Sequence, residues 1–147
     1  MKRAISAFVI LLSAAGATPG QLTASRAEVT VFIDGFRSEA GEARVALFDA
    51  TEGFPEEVAR AREVARVEIR DYEARVDFTD LPYGVYAVAV LHDENANDVL
   101  DRNFFKVPTE GYGASNNPAG TTERINYEDA KFALFQEFLV VRIHMRY

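Results

Sequence analysis

Acidic and amide side chains recur at alternate positions just after the most apolar strand of the chain: Asp93, Asn95, Asn97 and Asp101, with Val99 between the last two. Oxygens spaced this way can wind around a hard cation. In calcium loops of the EF-hand type, positions 1, 3, 5 and 9 supply side-chain ligands and position 7 supplies its backbone carbonyl. The series therefore nominates Asp93, Asn95, Asn97, Val99 and Asp101 as a metal site, with calcium as a structural brace. Two positions depart from the pattern. Asp98 stands where a glycine would make the sharp turn, and Phe104 stands where a bidentate glutamate would close the shell; Glu110 is the next acid along. Two carboxylates and two amides imply weak binding, of about millimolar affinity. The competing reading needs no ion, because Asp and Asn side chains also bond their own backbone in Asx turns.

The same stretch runs on to Asn117 as HDENANDVLDRNFFKVPTEGYGASNN, with almost no alternation. Loops of that length in a small domain are usually functional or disordered. Phe104, Phe105, Pro108 and Tyr112 argue for order, because such residues want buried contacts. The simplest expectation is that Phe104, Phe105 and Tyr112 staple the loop onto the domain. A sharper one is a contact surface for a carbohydrate or peptide, built from Tyr112, Ser115, Asn116 and Asn117 with His92 and Glu110 at its edges. Rings stack on such ligands, and amides both donate and accept. His92 also permits a small hydrolase to be drawn, with Ser115 as nucleophile and Asp49 or Glu110 as the acid. No nucleophile elbow, phosphate loop or zinc motif accompanies it, and no catalytic residue is assigned.

Strands must position this loop. Glu28–Phe36 alternates, with Val29, Val31 and Ile33 on one side, and Arg44–Ala50 follows after a turn at 38–41; the two read as a hairpin or a sandwich pair. Pro55 opens a short connector helix with Glu56 and Glu57 in its first turn and Arg60 and Arg62 in its last. Val64–Arg70 and Glu73–Thr79 read as a half-buried hairpin, Val67, Ile69, Ala74, Val76 and Phe78 facing in. Ala87–Leu91 is apolar on both faces and should be central and covered. Asp129–Phe135 and Phe138–Tyr147 close the domain. About seven strands, one short helix and no βαβ alternation predict a mostly β fold, an antiparallel Greek-key sandwich over 28–147 with a long ordered loop.

Composition sets outer bounds. Lys2 and Arg3 precede an apolar run from Ala4 to Ala15 and the small residues Ala15-Gly16-Ala17, which is the layout of a signal peptide over 1–17. The expected address is therefore periplasmic or secreted, with no membrane insertion once the leader is cut. Losing Lys2 and Arg3 takes the net charge from −7 to −9, which disfavours nucleic acid as a partner. The absence of cysteine excludes disulfides, thiolate metal sites and cysteine catalysis. Stability must come from the core alone.

Leu81-Pro82-Tyr83-Gly84-Val85-Tyr86 before the central strand resembles transthyretin-like and carboxypeptidase-regulatory-like β-sandwiches, where the glycine turns the chain and the tyrosine tethers its hydroxyl. A wider resemblance rests on three pieces: Arg44–Asp49 with Glu52-Gly53-Phe54-Pro55; Leu81–Val90; and His92-Asp93-Glu94-Asn95-x-Asn97 with Leu100-Asp101, then Pro108-x-Glu110-Gly111-Tyr112-Gly113-x-Ser115-Asn116-Asn117. Together they resemble the secreted bacterial family known as domain of unknown function 2141. Asp98 departs from the small residue usual there. The resemblance implies a periplasmic or secreted β-sandwich and brings no catalytic residues. The expected function is a non-catalytic extracytoplasmic binding or accessory module that contacts a carbohydrate, peptide or envelope protein through 92–117. The alternatives are the His92 hydrolase and a structural domain docking on an envelope protein by an edge strand.

Overall fold

The computed structural model describes residues 25–119 and 125–147; the leader expected over 1–17 lies outside them. Among the described residues, eight strands form two mostly antiparallel sheets that pack as a β-sandwich. The first sheet has the order β4-β1-β8, from Ala74–Pro82, Arg26–Asp34 and Phe138–His144. The second has the order β3-β2-β5-β6, from Glu63–Val67, Glu42–Phe48, Gly84–Asp93 and Gly111–Ala114. The short β7, Phe132–Leu134, pairs with the start of β5.

Alternation decides what each strand buries. Val29, Val31 and Ile33 of β1 meet Val45 and Leu47 of β2, Val88 and Val90 of β5, and Ile143 of β8 in the inter-sheet core. The other face of β2, β5 and β6 carries Ala46, Phe48, Ala87, Ala89, Tyr112 and Ala114, and is covered by Phe54, Val58, Ile125 and Tyr127. Layers on both sides explain why β5 reads as apolar throughout. At its start Tyr86 donates its hydroxyl to the Pro82 carbonyl at 2.7 Å, the tether that the Leu-Pro-x-Gly-x-Tyr motif implies.

Four local expectations need correction. The segments 64–70 and 73–79 do not form a hairpin ladder: only Arg70 and Glu73 bridge, and β3 and β4 then diverge into different sheets. Asp71 and Tyr72 both adopt positive φ and turn the chain across the sandwich. The sheets are not wholly antiparallel, since β1 and β8 run parallel, Val31 opposite Val141. Pro55 does not start a helix; the connector is a single 3-10 turn, Val58–Arg60. Asp129 lies in a short helix α1, Tyr127–Ala130, rather than in a strand. Asn126 caps that helix by accepting the Asp129 N–H at 2.9 Å.

Candidate functional site: the loop that follows the central strand

β5 ends on two side chains that point opposite ways, His92 into the sandwich and Asp93 onto the covered outer face. Both are fully buried. The His92 ring lies 2.8 Å by Nε2 from the Ala40 carbonyl and 2.6 Å by Nδ1 from the Tyr147 hydroxyl. A carbonyl only accepts, so Nε2 carries a proton. The Tyr147 oxygen receives the Arg37 backbone N–H at 3.0 Å and turns its own proton toward Nδ1. Burial pushes the Tyr147 phenol above its ordinary value. Phe36 closes edge-on against the imidazole at 5.1 Å. No free ring nitrogen remains for proton transfer.

Asp93 anchors the loop. Its two oxygens accept the backbone N–H groups of Asn97 at 3.0 Å and Asp98 at 2.8 Å. The Asn95 oxygen also accepts from the Asn97 N–H, and the Asn97 oxygen accepts from the Val99 N–H; these are Asx turns. Both amide NH₂ groups then point at Asp101, at 2.6 Å and 3.0 Å. Asp93, Asn95, Asn97 and Asp101 are thus linked in one network, in which the amide nitrogens of Asn95 and Asn97 donate to Asp101. Val99 is exposed. Ala96 and Asp98 adopt φ of +58° and +70°, and Asp98 takes the left-handed turn otherwise left to glycine.

Glu110 completes this root from the far side of the loop. Its buried carboxylate accepts the N–H of Glu94 at 3.0 Å and that of Asp101 at 3.1 Å. Arg37 forks onto Glu94, donates to the Thr109 carbonyl at 2.9 Å, and lays its guanidinium 4.6 Å over the Tyr147 ring. That hydrogen bond holds the Glu94 carboxyl below its ordinary value. Gly41, at φ +68°, lies so close that a Cβ there would stand 1.9 Å from the Asp93 carbonyl. Asp98 folds back to Arg66 at 2.6 Å and to Arg44 at 3.5 Å, and the Arg66 hydrogen bond lowers its carboxyl. Among the described residues, oxygens of Glu42, Asp93 and Asp98 lie within 4.8 Å of one another. This is a different trio from the nominated set, and Arg66 already binds two of its members.

The remaining nominated side chains serve the scaffold. Ser115 is fully buried; its hydroxyl accepts the Val88 N–H at 2.9 Å and donates to the Ala130 carbonyl at 2.6 Å, joining β5 to α1. Val88 lies four residues before His92, about 13 Å along an extended strand, so Ser115 and His92 do not form a dyad. Asn116 donates to the carbonyls of Asp129 and Lys131. Asn117 donates to Arg142 and accepts the His144 N–H. Tyr112 packs in the outer cluster while its backbone bridges Arg146.

The tip is different. Arg102 and Pro108 bridge, the Asn103 N–H reaches the Val107 carbonyl, and the Asn103 side chain accepts the N–H groups of Phe105 and Val107. This ordered turn holds Phe104 and Phe105 edge to face at 5.5 Å, 94% and 80% exposed. The staple expected of three aromatics holds for Tyr112 and fails for these two. Their aromatic type marked them for burial, but the turn leaves both rings exposed.

A sequence model of the family described as "Uncharacterized protein conserved in bacteria (DUF2141)" matches residues 31–139, a span that includes the whole loop. No curated protein and no solved structure matches the chain.

Proposed function

This chain belongs to the bacterial family of domain of unknown function 2141, whose description assigns no activity, and from its own residues we propose that it is a non-catalytic extracytoplasmic binding module. The Phe104–Phe105 tip is its anchor and another envelope protein is its partner. The carrying observation is the tip itself: two phenylalanines exposed on a turn whose polar backbone groups are bonded internally. Aromatic anchors that enter a pocket dominate the energetics of protein interfaces. A rigid turn lowers the ordering cost of docking them. The amides of Asn116 and Asn117 are committed to backbone groups, which favours an apolar protein pocket over a sugar. Site-specific photocrosslinking in cells tests it. A photoreactive residue at 104 should give a discrete protein adduct that Phe105→Ser abolishes. No adduct at 104, or the same adduct from the exposed Tyr72 of the turn between β3 and β4, overturns it.

A calcium brace belongs to the same reading. It requires Asn95 and Asn97 to turn their amide oxygens inward, giving up two hydrogen bonds to Asp101. Asp93, the Val99 carbonyl and Asp101 would complete the shell. That exchange keeps affinity at about millimolar. A thermal melt in roughly ten millimolar calcium against chelator should show a small upward shift. An unchanged melting temperature removes the ion and leaves the tip reading intact.

A further inference from the structure

Carboxylates outnumber cations in this chain, with a formal net charge of −7, and its basic side chains are correspondingly occupied. Lys131 pairs with Glu128, and Arg102 with Glu56 at 2.6 Å. Arg142 lies 5.2 Å over the Phe32 ring, and Arg146 donates to the Asn117 carbonyl at 2.9 Å. Each remaining described arginine reaches a carboxylate. Lys106 is the exception: among the described lysines and arginines, it alone has an end group that meets no carboxylate, carbonyl or ring. It stands at the tip between Phe105 and Val107, which are 80% and 54% exposed.

The backbone makes that residue choice informative. The Lys106 N–H donates to the Asn103 carbonyl, and the Asn103 N–H to the Val107 carbonyl, each at 2.9 Å. These bonds close a tight turn in which Lys106 adopts φ +62°. A turn that ends on a left-handed residue favours glycine there. Elsewhere the chain meets positive φ chiefly with Asp and Asn, as at Asp80, Asp98 and Asn117, which tolerate it better than lysine does. Neither the turn nor any described contact calls for a lysine at 106.

We propose that the cleft receiving Phe104 and Phe105 carries a carboxylate at its rim, and that Lys106 pairs with it. The inference rests on the tip reading above and names the partner's chemistry: a protein with an apolar pocket edged by Asp or Glu. The rings supply most of the energy of such a contact, while a rim charge selects among pockets and speeds encounter. The net negative charge of the chain works against an acidic partner, and Lys106 offsets it where the rings enter. An anionic lipid surface is the poorer fit, because anchoring there draws on clusters of basic residues.

Photocrosslinking from position 104 tests it in the full chain, at an expression level where adduct yield follows affinity. Lys106→Gln, which removes the charge alone, should lower the yield about threefold, the increment of one exposed ion pair. Lys106→Glu should lower it about tenfold or more through like-charge repulsion. Lys106→Arg should stay within about twofold of the parent. Lys106→Gly relaxes the turn, so its urea midpoint should equal or exceed the parent's while its yield falls as in Lys106→Gln. A lower midpoint would assign the lysine to the fold and overturn the proposal. Yields from Lys106→Gln and Lys106→Glu that match or exceed the parent's remove the acidic rim and leave the tip reading standing. No protein adduct from the parent overturns both readings. Capture of that parent by vesicles of anionic phospholipid would then move the tip to a lipid surface.

Discussion

The root and the tip of segment 92–117 are both held by side-chain oxygens that accept backbone N–H groups, yet they do opposite things. At the root, Asp93, Glu110, His92 and Tyr147 are bonded to specific partners, and several of those partners are backbone N–H groups. At the tip, polar groups are equally satisfied but the carbon is left in water. A long loop can therefore be rigid without being buried. Its order comes from carboxylates that gather N–H groups, which releases its aromatics from the duty of packing. The difference predicts that root substitutions act on stability and tip substitutions act on association.

The largest effect expected is Gly41→Ala. The new Cβ would stand 1.9 Å from the Asp93 carbonyl and 2.7 Å from the Glu94 Cα, at φ +68°. Left-handed backbone and overpacking together imply a loss of about 3 kcal/mol or more. Urea denaturation measures it, and a loss below about 1 kcal/mol would show that the turn at 38–41 moves independently of the root.

Glu110→Gln comes next. One side-chain oxygen then replaces two, so the N–H of Glu94 or of Asp101 loses its acceptor, at about 2 kcal/mol. Amide hydrogen exchange should quicken at those two positions while the tip amides of Phe105 and Val107 stay protected. If protection is lost evenly from 93 to 109, root and tip are one cooperative unit and the contrast fails.

Tyr147→Phe removes the hydroxyl that accepts from Arg37 and faces His92 Nδ1, for an expected loss of about 1–2 kcal/mol. A smaller effect comes from acid. Glu94 has its carboxyl held below the ordinary 4.5 by Arg37. A depressed carboxyl contributes stability that is fully present above its unfolded value and is lost as pH falls through the folded one. Stability should therefore decline below about pH 4.5, and less steeply in Glu94→Gln. Identical acid slopes in the two proteins would place the titration elsewhere, for example at Asp77, whose carboxyl is lowered mainly by Thr30.

Much of the framework was legible because it rests on local periodicity. The two-faced apolar run of β5 and the inward side of β1 follow from residue order, and the Tyr86 tether is the one that the resemblance of its motif implies. Pairing was less legible. Alternation in 64–70 and 73–79 marks which side is wet, yet it cannot tell a hairpin from a crossing between sheets, and the parallel partnership of β1 with β8 joins residues 110 apart, as Asp34 and His144 show. The α1 cap had a readable signal, Asn126 three residues before Asp129. At the site, the alternate oxygens of 93–101 announced a knot, and the chemistry left open whether amides or an ion would tie it. Glu110 stood out as the next acid but not as the acceptor for both ends of the turn.

The smallest stability effect belongs to the double variant Phe104→Ser, Phe105→Ser, and it separates the two regions most sharply. Both rings are exposed and contact chiefly each other. The turn that holds them depends on Asn103 and the 102–108 bridge, which serine leaves in place. Folding stability should change by no more than about 0.5 kcal/mol, and amide protection at Val107 should persist. Association should be lost, since truncating paired aromatic anchors removes much of the energy of an interface. A double variant that unfolds would show the rings to be supports after all. One that folds and still forms the same adduct would move the contact surface off the tip.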